Sequence, residues 1–93
     1  MRRRVRIRVS GRVQGVGYRA SAYEKAVSLG LAGWVRNQSD GGVEILAEGA
    51  ATSIAAIIEW CGRGPRWARV DRVDVTDESP AGNLSSFEVR RDA

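Results

Sequence analysis

Arg4-Val5-Arg6-Ile7-Arg8-Val9-Ser10-Gly11-Arg12-Val13-Gln14-Gly15-Val16-Gly17-Tyr18-Arg19 contains two periodicities and the break between them. Over residues 4–12, Val5, Ile7 and Val9 alternate with Arg4, Arg6 and Arg8, the spacing of a half-buried strand. Gly11, Gly15 and Gly17 then mark a loop. From Tyr18 the period changes: Ala22, Ala26 and Leu29 fall at i, i+4 and i+7, which predicts a helix over residues 18–29. Gly30 stands where a left-handed C-terminal cap is expected, and Leu31 can fold back onto the last turn. The segment is therefore a strand, a glycine loop and a helix, with Arg19 in the first helical turn.

The rest of the chain extends this unit. Residues 32–37 hold Trp34 and Val35 and predict a short strand. Asp40-Gly41-Gly42 is a hairpin turn signal. Val43, Ile45 and Ala47 alternate in the returning strand, although Leu46 breaks the pattern. Ile54, Ile57, Ile58 and Cys61 give a second amphipathic helix, with Thr52 or Ser53 expected to cap it and Gly62 and Gly64-Pro65 to end it. Val73 and Val75 alternate with Asp74 and Thr76 in a strand over residues 69–76. Residues 78–83 read as a loop, and Phe87 and Val89 as a short last strand. The order β-α-β-β-α-β, with an extra short strand, is the split βαβ, ferredoxin-like pattern. The expected fold is an α+β sandwich in which a mostly antiparallel sheet carries two helices on one face. Trp34 and Trp60 are expected to fill the space between sheet and helices, and Trp67 to be partly exposed. Arg2-Arg3-Arg4 reads as a mobile tail, and the arginine alternation as a solvated strand face.

Composition narrows the chemistry. At 93 residues the chain predicts a single domain spanning residues 1–93. Cys61 is the one cysteine, so no internal disulfide framework exists, and a cytoplasmic location is expected. No histidine is present, which removes the commonest general base and metal ligand; no metal site is expected. No segment approaches the ~20 apolar residues of a membrane span. Residues 1–9 are basic but lack the apolar stretch of a signal peptide. The net charge is +4, and seven arginines precede the first acid, Glu24, so the first quarter is a positive field suited to phosphate, nucleic acid or an anionic surface.

The glycine loop sits where a helix N-terminus offers free N–H groups and the positive end of its dipole. Glycines let successive amides turn toward one anion, and Arg19 adds a planar, permanently charged fork. This combination is a phosphate cradle, although glycines before a helix can also serve only to shape a tight turn. The loop lacks the Gly-Lys-Ser/Thr ending of a P-loop and the G-x-G-x-x-G spacing of a dinucleotide site. Asn37, at the end of Trp34-Val35-Arg36-Asn37, reads on spacing alone as a turn former that satisfies local backbone. Cys61 lies on an apolar helix stripe and reads as a small buried hydrophobe. Asp71 and Asp74 are three apart on one strand and face opposite sides. What remains is electrostatic positioning of an anionic substrate that is already reactive. A carboxyl-phosphate anhydride fits, since its leaving carboxylate needs no proton.

Val9-Ser10-Gly11-Arg12-Val13-Gln14-Gly15-Val16-Gly17-Tyr18-Arg19 resembles the first signature of the acylphosphatases. Leu29-Gly30-Leu31-Ala32-Gly33-Trp34-Val35-Arg36-Asn37, followed by Asp40-Gly41 and Val43-Glu44, resembles the second. Trp60 before Gly64-Pro65 and the closing Phe87-Glu88-Val89 are similar too, so the resemblance covers nearly the whole chain. It implies hydrolysis of acyl phosphates to carboxylate and inorganic phosphate, without metal or cofactor; a monomer is expected. It implies that Gln14, Gly15, Val16, Gly17, Tyr18 and Arg19 bind the substrate phosphate, largely through backbone amides. It further implies that Arg19 holds the phosphoryl group catalytically, that Asn37 orients the water, and that the substrate's own phosphate accepts its proton. Inorganic phosphate is then product and competitive inhibitor. Tyr18 stands where many members carry phenylalanine, which adds a hydroxyl needing a partner. Gln38 follows the key asparagine where some carry a small hydroxyl residue.

Two other readings have weaker support. RNA recognition motifs share the βαββαβ order, and the first strand is basic, so a nucleic-acid-binding module is the alternative. Its stacking aromatics are missing, however: Arg4, Arg6 and Arg8 stand where they would help. The acylphosphatase-like domain of a hydrogenase-maturation carbamoyltransferase is the other. Those proteins continue into cysteine-rich zinc motifs, whereas the sequence stops at Ala93, so a stand-alone enzyme is expected.

Overall fold

The computed structural model describes residues 1–92. The elements are β1 (Arg2–Arg12), α1 (Tyr18–Ser28), β2 (Ala32–Asn37), β3 (Val43–Ala50), α2 (Ala51–Arg63), β4 (Arg69–Glu78) and β5 (Phe87–Val89). The sheet order is β4-β1-β3-β2-β5. The β1–β3, β1–β4 and β2–β3 pairs are antiparallel, and β5 lies parallel to β2. This is the expected ferredoxin-like sandwich with a fifth strand on the β2 edge. No helix among the described residues is long and apolar enough to cross a membrane.

Strand β1 lies inside the sheet, between β4 and β3, and its alternation puts one side in the core. Val5 and Ile7 are completely buried, together with Val35, Ile45 and Ala47 of the neighbouring strands. Tyr18, Ala22 and Ala26 of α1 and Ile54, Ile57 and Cys61 of α2 cover this side. Helix α1 ends as its sequence requires. Gly30 N–H donates to the Val27 carbonyl (3.0 Å) and Leu31 N–H to the Ala26 carbonyl (3.0 Å), and the Leu31 side chain is buried. Helix α2 begins differently from expectation. Neither Thr52 nor Ser53 caps it; the chain passes from Ala50 directly into the helix with no side-chain cap. Ala51 N–H donates instead to the Met1 carbonyl (2.9 Å), because Arg2 pairs with Ala50 and brings the start of β1 alongside the helix.

That pairing also corrects the expectation of a mobile tail, since Arg2, Arg3 and Arg4 all belong to β1. The face away from the helices is not simply solvated. Glu44 and Glu48 of β3 are buried on it. Glu44 accepts from Arg36 (2.7 and 2.9 Å) and Arg6 (3.1 Å). Glu48 accepts from Arg2 (3.1 Å), Arg4 (3.4 Å) and the amides of Ala81 (3.2 Å) and Gly82 (3.0 Å). Glu78 accepts from Arg4 (3.2 Å) and Arg6 (2.8 Å).

Trp34 lies on this same face rather than between sheet and helices. It is opposite Leu46, which explains why Leu46 broke the alternation: β3 is buried on both sides. The Trp34 ring is covered by the guanidinium groups of Arg36, Arg90 and Arg6 at 4.7, 5.1 and 5.6 Å from its centroid. Arginines committed to glutamates and a tryptophan under three of them leave little for a stacked base. Trp60 is on the helix side, 5.1 Å from the Tyr18 ring, and Trp67 is exposed.

Burial raises the carboxyls of Glu44 and Glu48, but hydrogen bonds from Arg36 and Arg6, and from Arg2 with the Ala81 and Gly82 amides, outweigh it. Both end below the ordinary value of 4.5. Glu78 is lowered chiefly by its hydrogen bond from Arg6. A depressed folded-state value stabilises the fold above the unfolded value, and that contribution disappears as pH falls through the folded one. The denaturant midpoint is therefore expected to decline as pH drops below 4.5. Titration of the urea midpoint against pH checks this; a midpoint indifferent to acid would show that these pairs do not stabilise the fold.

Candidate active site

The register of β1 against β4 shifts between Ser10 and Gly11, where the Gly11 backbone passes against Arg69. Beyond this bulge the chain enters the loop. Gly15 (φ +76°) and Gly17 (φ +79°) are both left-handed. A Cβ at either would meet no atom within 4 Å, so glycine is required here by the backbone angle and not by crowding. Left-handed turns of this kind let amides converge on a concave surface.

Helix α1 starts at Tyr18 with no side-chain cap and no acid in its first turn. Its first intrahelical bond runs from Ser21 N–H to the Gly17 carbonyl (3.0 Å). The amides of Tyr18, Arg19 and Ala20 consequently have no helical acceptor and carry the positive dipole end. Tyr18 turns inward, and its hydroxyl donates to the Cys61 carbonyl in the last turn of α2 (2.9 Å). The added hydroxyl thus has a partner, and burial keeps it protonated. Cys61 is itself buried and its thiol is pushed up to about 12 by desolvation, which leaves it unsuited to nucleophilic work.

Arg19 points to the C-terminal segment. Its Nη1 donates to the Arg90 carbonyl (3.1 Å) and the Asp92 carboxylate (2.9 Å). Arg90 is fixed in turn by its own N–H, which donates to the Val35 carbonyl of β2 (2.8 Å). The fork is thereby steered toward the end of β2, where Asn37 lies. A cleft of about 350 Å³ is lined by Val13, Gly15, Gly17, Tyr18, Arg19, Ala20, Asn37 and Val89. Among the described residues the Asn37 side chain makes no hydrogen bond within the protein.

Of the residues singled out from sequence, Gly15, Gly17, Tyr18, Arg19 and Asn37 thus share one cleft. Val16 and Gln14 do not line it. Val16 packs against the hydrophobic core, and the Gln14 side chain bonds to the β2–β3 hairpin. Val89, the Arg90 carbonyl and Asp92 were not foreseen. They reach the site only because β5 pairs parallel with β2, a register that no local pattern announces.

The family model described as acylphosphatase matches residues 5–89. The chain belongs to the acylphosphatase family. It is 54% identical to an acylphosphatase of Methylococcus capsulatus over 90 residues, 97% of this chain and 98% of that protein. Its fold superposes on the crystal structure of acylphosphatase from Bacillus subtilis with a TM-score of 0.91 at 38% identity, covering 97% of this chain and 99% of that one. An acylphosphatase from Coxiella burnetii gives a TM-score of 0.91 at 40% identity, covering 96% and 93%. Family and fold together support an acylphosphatase enzyme, and with it acyl phosphate hydrolysis.

The Arg19–Asp92 pair shows that the fork accepts an oxyanion in this setting. With the two side chains 33% and 64% exposed, the pair is a weak one. If inorganic phosphate binds the same fork and inhibits, Asp92→Asn is expected to tighten that inhibition by no more than about fivefold, since exposed pairs are worth under about 1 kcal/mol. The inhibition constant measured for both proteins checks it; weaker inhibition in the variant would mean that Asp92 supports the fork instead of competing for it.

Proposed function

We propose that the cleft hydrolyses carboxyl-phosphate mixed anhydrides by holding the phosphoryl group on the loop amides and Arg19 while Asn37 orients the attacking water. The observation that carries this reading is the convergence of an uncapped helix start, a guanidinium and an uncommitted carboxamide on one cleft. The amides from Gly15 to Arg19 and the Arg19 fork would meet the phosphoryl oxygens and stabilise the charge that builds on them. The Asn37 carboxamide would align a water with the phosphorus. The water oxygen bonds to phosphorus, the bond to the acyl oxygen breaks, and the carboxylate leaves with its electron pair. The proton from the water passes to a phosphoryl oxygen.

Among the cleft-lining side chains only Tyr18, Arg19 and Asn37 carry polar groups, and the Tyr18 hydroxyl is committed to Cys61. This suits a leaving group that needs no protonation. It suits an alkyl phosphate poorly, because an alkoxide leaves only with help from an acid. We further propose a monomer, located in the cytoplasm where the lone unpaired Cys61 stays reduced, with the product inorganic phosphate as competitive inhibitor.

Benzoyl phosphate hydrolysis in EDTA, set beside an alkyl phosphate monoester, tests the reaction. The anhydride is expected to turn over and the ester not. Arg19→Gln should fold normally and lose about 100–1000-fold in turnover, the usual cost of one transition-state donor. Near-normal turnover in this variant would sink the assignment of Arg19. Asn37→Ala should lower kcat while the phosphate inhibition constant holds. Unchanged kcat with weaker phosphate inhibition would instead make Asn37 a binding group.

A further inference from the structure

The structure assigns Gln14 as the positioning residue that locks the phosphate loop to the hairpin carrying Asn37, an inference that rests on the proposed role of Asn37 in placing water. Gln14 precedes the left-handed Gly15 and Gly17, and its Nε2 group donates both hydrogens outward. One goes to the Gln38 carbonyl (2.7 Å) and the other to the Gly42 carbonyl (2.8 Å). Each of these carbonyls already accepts one main-chain bond: Gly41 N–H to Gln38 (3.1 Å), and Gln38 N–H to Gly42 (2.8 Å). A carbonyl oxygen has two lone pairs, so Gln14 takes the last acceptor place on each.

These two carbonyls flank the final rung of the hairpin. Asn37 pairs with Val43 across β2 and β3, and Gln38 and Gly42 are the next residue on either side. The bonds of Gln14 therefore brace the rung from which Asn37 projects. Among the described residues no protein group holds the Asn37 side chain, so its aim depends on that backbone. The brace runs through the main chain of residue 38 and makes no use of its side chain. A glutamine with both donors spent on carbonyls has none left for a phosphoryl oxygen. This separates the role of its side chain from the phosphate contacts expected of the loop amides.

Displacement of a reacting group by ~1 Å can cost about 100-fold in rate. Gln14→Ala and Gln14→Met, which keeps the chain length without a donor, are expected to lower kcat for benzoyl phosphate about 10- to 100-fold. The phosphate inhibition constant should stay at the wild-type value. The decisive arm is a double-mutant cycle: in an Asn37→Ala background, loss of Gln14 should lower kcat no further, because no carboxamide remains to be aimed. Circular dichroism confirms that each variant is folded, and Gln14→Met supplies the comparison if the alanine variant does not fold. Equal kcat losses with and without Asn37 would overturn the proposal, as would unchanged kcat, or weakened phosphate inhibition as the main effect. Full turnover in Asn37→Ala alone would remove the underlying reading of Asn37, a failure distinct from any result at Gln14.

Discussion

A central strand with arginine at every second position has to be answered by its neighbours. β1 runs between β4 and β3, and its arginine side meets Glu78 on one and Glu44 and Glu48 on the other. The arginine stems lie over the sheet while their charged heads find carboxylates, and Trp34 fills the space beneath one of them, Arg6, together with Arg36 and Arg90. A slip of one residue would turn Val5 and Ile7 toward glutamates and drive arginines into the helix-covered core. The pairing of opposite charges thus fixes a register as well as contributing stability. From that register follow the place of the bulge at Ser10 and Gly11, the position of β3, and the height at which the β2–β3 hairpin ends.

The same pairing shapes the electrostatics. A chain of net charge +4 could present a diffuse positive surface, but three of its eleven acids, Glu44, Glu48 and Glu78, lie against the arginines of β1. The first turn of α1 has no acid at all. Three glutamates thus offset part of the arginine charge over the open sheet face, and the helix start adds its own positive end beside Arg19. Chemistry in such a cleft depends on fixed charge and fixed position more than on proton exchange with the protein.

Much of this was legible in the chain because it is written in local patterns. Alternation in β1, the i, i+3, i+4 spacing of α2, the Gly30-Leu31 helix stop and the Asp40-Gly41-Gly42 turn each depend on residues a few positions apart. The gathering of Arg19 and Asn37 came from the resemblance to acylphosphatases, since spacing alone made Asn37 a turn former. What escaped depends on long-range pairing. Trp34 was assigned to the wrong face because aromatic character says nothing about which side of a sheet is covered, and arginines were not recognised as a cover. Thr52 and Ser53 had the right chemistry for a cap, but the Met1 carbonyl brought in by β1 took that place. The Gln14 brace spans 24 and 28 residues and has no local signature.

The last element, β5, has only three residues, yet it completes the cleft through Val89 and steers Arg19 through the carbonyl of Arg90, 71 positions along the chain. With Phe87 buried but Glu88 and Val89 exposed, this strand gains little from burial, and segments with few buried apolar contacts sit at the low-stability end of a structure. During folding, a chain with both helices and the four longer strands in place would show nearly all of its secondary structure and still lack one wall of the cleft. A full complement of secondary structure and a complete cleft are therefore separate properties of this chain, and the second depends on its smallest strand.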